Sequence, residues 1–161
     1  MYILKHITTC PNHENYPIKL EVNKAKVNRT NDGFTGVMEL DRPLTENMPL
    51  KVVIYKQTDG GSKQFYVLNE ASACHFIEEY GGKKNMEGLL ENCGHTGASS
   101  ICPISQGRHE MTNKFVFDFS QLPEDGMYGL YDAYAYIIDG GVEIGCILCT
   151  VEFKEIVKAD K

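Results

Sequence analysis

No stretch of this chain approaches the roughly 18 consecutive apolar residues that would cross a membrane as a helix. Positive charge is scarce as well. Sixteen Lys and Arg stand against 22 Asp and Glu, for a formal net charge of −6, and no cluster of basic residues offers phosphates a landing patch, which argues against nucleic acid as a partner. The Gly-x-Ser-x-Gly elbow of a serine hydrolase is missing. Ser99 and Ser100 share a loop with His95, but closeness in sequence does not build a triad, and surface serines are the plain reading. The leading Met1-Tyr2-Ile3-Leu4-Lys5 is too short to supply the apolar core of a signal peptide, so the chain reads either as cytosolic or as a mature form whose leader has been removed. Repeats, linkers and low-complexity runs are absent too. The 161 residues are expected to fold as one domain, 1–161, with room for a sizeable core.

Six cysteines are present: Cys10, Cys74, Cys93, Cys102, Cys146 and Cys149. An even number spread from one end of the chain to the other suits a disulfide framework, with more pairings than the sequence can choose among. Asn28-Arg29-Thr30 is an N-glycosylation acceptor, meaningful only in the secretory pathway. Both features favour secretion over a cytosolic location.

Alternation dominates the first half. Ile18, Leu20 and Val22 interleave with polar residues; so do Phe34, Met38 and Leu40 after the turn signal Asn31-Asp32-Gly33, and Leu50, Val52 and Ile54 after Pro49. This is the period of half-buried strands. Asp59-Gly60-Gly61-Ser62 predicts a hairpin turn, because glycine accepts the positive φ such turns need, and residues 65–68 read as the returning strand. The middle changes character. Residues 70–80 place Cys74, Ile77 and Tyr80 near helical spacing before Gly81-Gly82, a C-cap signal, and residues 85–92 suggest a second short helix. A Gly-, Ser- and Pro-rich loop follows from Cys93 to Gly107. Strands then return: Phe115, Phe117 and Phe119 put three rings on one face, 127–138 reads as a long strand, Asp139-Gly140-Gly141 as a hairpin turn and 142–153 as the closing strand. The expected fold class is all-β: two antiparallel sheets in a sandwich or cup, with a short helical segment around residues 73–92.

Three chemical readings are weak. Cys146-Ile147-Leu148-Cys149 has redox spacing, but redox work needs a stabilised thiolate, and inside a strand the two cysteines point to opposite faces. Cys93-Gly94-His95 with Cys102 offers one compact ligand pair, where a structural zinc site shows two. His6, His13, His75 and His109 form no cluster. No cofactor, no metal and no enzymatic activity is expected.

Two sets of residues carry a resemblance. Leu122-Pro123-Glu124-Asp125-Gly126-Met127-Tyr128 with Glu143-Ile144-Gly145-Cys146-Ile147, and Cys74-His75-Phe76-Ile77 with Ile101-Cys102-Pro103-Ile104 and Gly107, resemble the ganglioside activator or ML-type lipid-recognition family. The match runs from Cys10 to Phe153. It is similar also to secreted insect relatives, some linked to contact chemosensation, in which an Asn-Arg-Thr stretch precedes the second strand. The resemblance implies a β-cup whose splayed sheets enclose acyl chains, with Cys10 paired to Cys146 and Cys74 to Cys102. Cys93 matches half of a further disulfide whose partner position here is Ser100, so Cys93 and Cys149 are left either to pair with each other or with one of them free.

On the residues alone, an ordinary filled core explains the alternation as well as a cavity does. With the resemblance, Phe34, Met38, Leu40, Val52, Ile54, Phe65, Phe115, Phe117, Phe119 and Leu130 become candidate cavity-lining residues. Tyr128, Tyr131, Tyr134 and Tyr136 are packing residues, with one or two at the mouth of the cup. The expected partner is a lipid or other long apolar molecule, admitted near Gly81–Gly107, with a receptor or membrane surface as a further partner. The rival expectation is a secreted interaction module with a filled core.

Overall fold

The computed structural model describes residues 2–13, 15–26, 32–81, 85, 87, 88, 91, 102–111, 114, 116 and 127–154. Regular alternation makes strands wherever turn chemistry lets the chain reverse. β4 (Leu50–Thr58) and β5 (Gly61–Glu70) form a hairpin. Gly61 takes a φ of 110° and the Thr58 hydroxyl donates to its carbonyl at 2.5 Å. β7 (Gly129–Asp139) and β8 (Val142–Phe153) form another, in which Gly140 and Gly141 have φ values of 58° and 81°. A positive φ at both central positions is the type I′ geometry that matches strand twist.

With β1 (Tyr2–Thr9), these strands build one antiparallel sheet in the order β1-β8-β7-β4-β5. β2 (Ile18–Lys26), β3 (Asp32–Leu40) and β6 (Gly107–Glu110) build a second antiparallel sheet in that order. The fold is the expected two-sheet, nearly all-β class. Two of its strands were not anticipated. In β1 a register shift between Leu4 and His6 breaks the alternation that marks a strand. β6 is a four-residue polar strand, Gly-Arg-His-Glu, at a sheet edge among the described residues. The predicted phenylalanine strand at 115–119 lies outside the described residues.

The helix α1 spans Ala73–Gly81. It starts later than the predicted 70, because β5 continues to Glu70, which still pairs with Leu50. Ser72 is its N-cap: the side-chain oxygen accepts from the His75 amide at 3.3 Å. Asn85, Glu87, Gly88 and Glu91 are also helical.

Two disulfides staple the fold, and they are the pairs named above. Cys10–Cys146 ties the end of β1 to β8 across a sequence separation of 136, and Cys74–Cys102 ties α1 to the segment before β6 across 28. A bridge between Leu44 and Ile104, with both hydrogen bonds at 2.9 Å, holds that segment against the loop after β3. Arg42, in the same loop, donates to Asp41 at 2.8 Å and to Asp139 in the β7/β8 hairpin at 3.0 Å.

The buried cluster comprises Ile18, Leu40, Leu44, Met48, Leu50, Val52, Ala73, Cys74, Cys102, Ile137 and Ile144. It gathers at the end of the sheets where α1 and the Leu44–Met48 loop sit. That end is closed.

Candidate ligand-binding interior

The core fixes which side of each strand faces inward. Ala133, Ala135 and Ile137 pack against it, and cross-strand register carries the inward set to Leu50, Val52 and Ile54 on β4 and to Gly145, Ile147 and Cys149 on β8. From β8 it passes to Ile7 and Thr9 on β1. In the small sheet, Ile18 and Leu40 oppose each other, as do Leu20 and Met38, and Val22 and Gly36.

The sheets meet along one side. β2 runs close to β1 and β8. The Thr9 hydroxyl donates to the Leu20 carbonyl at 2.8 Å and accepts from the Leu20 amide at 3.1 Å. Gly145 leaves room for Ile18: a Cβ added there would lie 2.9 Å from the Cβ of Ile18. On the far side, among the described residues, β5 and β6 are the sheet edges. Residues 61–67 of β5 are exposed throughout.

Between the closed end and that far side, the inward aliphatic residues are only half-buried. Leu20, Val22 and Met38 from one sheet retain solvent access, as do Ile54, Leu68, Ala133, Ala135, Ile147 and Val151 from the other. In a well-packed sandwich, side chains from the two inner faces interdigitate and exclude water. Here that holds at one end and lapses beyond it. An inner face that is apolar yet incompletely covered is the form a site for an apolar guest takes.

Aromatic rings cross the large sheet beyond this zone. Tyr2 stacks on Phe153 at 4.4 Å, Tyr128 lies 5.0 Å from Phe153, Phe65 meets Tyr131 at 5.4 Å, and the Lys56 ammonium sits 5.8 Å from the Tyr131 ring centre. The Tyr131 hydroxyl donates to the Met127 carbonyl at 2.6 Å, and burial raises its pKa, so the phenol stays neutral well above physiological pH.

The predicted lining residues separate into groups. Phe34, Leu40 and Val52 are buried, with Leu40 and Val52 in the closed core. Met38 and Ile54 are inward and half-buried. Phe65 is 50% exposed. It sits at the register shift between β4 and β5 and so stands at the sheet edge, outside any enclosed wall. Leu130 is a correction: it shares the outward side of β7 with Asp132, Tyr134 and Tyr136, opposite Ala133. A long strand with apolar residues at both parities gives no sequence signal for which parity faces in. Phe115, Phe117 and Phe119, like Asn28 and Cys93, lie outside the described residues. Most of the predicted access route near Gly81–Gly107 lies outside the described residues; in its described part Asn85 and Cys102 are buried, whereas Pro103, Ser105, Gln106 and Gly107 are exposed.

Cys149 is a free thiol. It points inward between Ile7 and Ala133, whereas Cys146, on the outward side, is held by Cys10. Burial pushes the Cys149 thiol up to about 11, which leaves it protonated and unreactive as a nucleophile. Cys102 is committed to Cys74 and so is not a free thiolate ligand. Among the described residues no group of three His, Cys, Asp or Glu is arranged to hold a metal ion, and no helix is long and apolar enough to cross a membrane. Ile7, Ile147, Val151 and the rings of Tyr2 and Phe153 were missed as interior residues. The alternation within β8 carried the signal for Ile147 and Val151.

No family model matches the chain, and no curated protein matches it. Among solved structures, chicken MD-1, determined in complex with lipid IVa, is similar at 12% identity, over 91% of this chain and 87% of that one, with a TM-score of 0.35. The solution structure of R. palustris CsgH is similar at 16% identity, over 81% of this chain and 90% of that one, with a TM-score of 0.25. Scores this low argue for neither a shared fold nor a shared function.

Proposed function

We propose that this chain is a secreted, non-enzymatic carrier of a lipid or other long apolar ligand, held between sheets that are packed together at one end and parted beyond it. The observation that carries the reading is the half-buried state of the inward aliphatic residues Leu20, Val22 and Met38 on one sheet and Ile54, Ala133, Ile147 and Val151 on the other. Covering those groups with an acyl chain is favourable by about 0.8 kcal/mol per buried methylene before the costs of association. The two disulfides fit an oxidising compartment. The sequence resemblance to the ganglioside activator family points to the same ligand class and, through its insect relatives, to chemosensory presentation of the ligand.

Native mass spectrometry of protein from its natural source, with displacement of a fluorescent fatty-acid probe, tests this. A bound apolar species and saturable displacement by lipid are expected. Ala133→Glu, which puts a charge among the inward residues, weakens the probe at least tenfold, about 1.4 kcal/mol. Leu130→Glu, three residues away on the outward side, leaves it unchanged. The packed cluster at the α1 end favours a second reading, an interaction module with a filled core. An interior void below roughly 300 Å³ in a crystal structure, with no displaceable probe, selects it.

A further inference from the structure

The outward face of the large sheet carries a constellation that the interior does not use. Asp132, Tyr134 and Tyr136 are successive outward positions of β7; Tyr55 opposes Asp132 on β4, and Ser62, the second residue of β5, pairs with Gln57 beside them. Together they line a groove of about 220 Å³. The rings of Tyr55 and Tyr134 lie 5.7 Å apart at 86° to each other, two aromatic walls set nearly at right angles.

Asp132 is unusual in what surrounds it. Gln57 Nε2 donates to one carboxylate oxygen at 2.9 Å and the Thr150 hydroxyl to the other at 2.6 Å. Both donors are neutral, and among the described residues no Lys or Arg pairs with this carboxylate. Lys51, the cation on this face of β4, opposes Tyr136, two outward positions along from Tyr55. The side chain is thus oriented by two hydrogen bonds while its charge stays uncompensated, in a chain of net charge −6. Tyrosine faces carry the negative side of the ring quadrupole. Burial, with smaller contributions from Glu143, Tyr55 and Tyr134, raises the Tyr136 pKa, which keeps that ring neutral.

We propose that this groove is a binding site for a small organic ammonium ion, taken between the tyrosine faces with its charge toward Asp132. A cation beside an oriented carboxylate and over aromatic faces gains from both. The volume falls below the roughly 300 Å³ at which pockets for drug-sized ligands begin, so the occupant is one ammonium group with its substituents. The site is on the opposite side of the sheet from the inward residues, and it stands or falls independently of the carrier reading.

Titration of the full, disulfide-intact chain with tetramethylammonium chloride at constant ionic strength, followed by amide chemical shifts, tests the proposal. Saturable shifts confined to residues around 55, 62 and 132–136 are expected, with no saturable response to the neutral isostere tert-butanol. Asp132→Asn weakens binding at least tenfold, and Tyr55→Leu, on a different strand, weakens it several-fold. Choline and glycerophosphocholine separate the sources: the tighter of the two assigns the site to a free quaternary ammonium compound or to a lipid headgroup. Shifts that do not saturate, an equal response to tert-butanol, or unchanged affinity in folded Asp132→Asn and Tyr55→Leu overturns it.

Discussion

Gly145 is where β8 comes closest to the small sheet, and replacing it by alanine measures how tightly that contact is set. The added Cβ would lie 2.9 Å from Ile18 Cβ, 3.2 Å from its Cδ1 and 3.5 Å from its Cγ1. Carbon pairs prefer about 3.5–4.0 Å. The terminal methyl can swing aside, but Ile18 Cβ moves only with the backbone of β2, which the two Thr9–Leu20 hydrogen bonds hold in place. Overpacking of this kind costs about 1–3 kcal/mol, or about 2–4 °C in Tm per kcal/mol for a chain of this size. Ile18→Ala alone opens a cavity worth about 2–5 kcal/mol. Because it also deletes Cδ1, one of the two atoms a new Cβ would crowd, and leaves space into which the remaining Cβ and its strand can shift, the double variant should be more stable than the sum of the singles by about 1 kcal/mol. Urea unfolding followed by circular dichroism, with the disulfides intact, gives all four free energies. A Gly145→Ala variant within about 0.3 kcal/mol of the parent, or strict additivity in the cycle, would refute the argument.

Three further outcomes follow from the same structure. Removing Cys10–Cys146 by paired serine substitution should cost up to about 5 kcal/mol and removing Cys74–Cys102 up to about 3.6 kcal/mol, since the closed loops differ as 136 to 28 in sequence separation; denaturation midpoints should fall in that order. The Cys149 thiol, pushed up to about 11 from an ordinary 9.0, keeps its proton in the folded chain while the unfolded chain loses it. Stability therefore falls as pH rises from about 9 to about 11; Cys149→Ala flattens that segment of the pH profile, and a thiol reagent at pH 8, read by peptide mass mapping, should label Cys149 only on unfolding. Leu50→Ala, in the buried cluster, should cost about 2–5 kcal/mol, whereas Phe65→Ala, half exposed on β5, should cost under about 1 kcal/mol.

Much of this architecture was legible in the residues. Glycine pairs at Gly60-Gly61 and Gly140-Gly141 announced both hairpins and with the second the closing strand β8, and alternation announced β2, β3 and β4. Illegible were the places where pairing interrupts the period. The shift between Leu4 and His6 concealed β1. β6 offers no apolar residue to alternate. For the site, alternation identified Met38 and Ile54 as inward but could not decide between the two faces of β7, where small Ala133 and Ala135 face the core and the larger Tyr134 and Tyr136 face out. Size misled there: the bulky rings belong to an outer groove, and the alanines to the interior. Nor does any sequence pattern distinguish a covered inner face from a half-covered one, because that depends on how far apart the sheets lie.

The twin bonds between Thr9 and one residue of β2, Leu20, have a mechanical consequence. They fasten the two sheets along one margin, as stitching fastens the spine of a book, so any breathing of the interior is a rotation about that line. With strands spaced about 4.8 Å apart, β5 lies about 19 Å from β1, and a turn of about 5° carries it outward by about 1.7 Å while the stitched margin barely moves. On the carrier reading, a guest molecule passes in and out beside β5 and β6, the sheet edges among the described residues. Thr9→Val, which keeps the shape but cuts the thread, would let the pages part from either side.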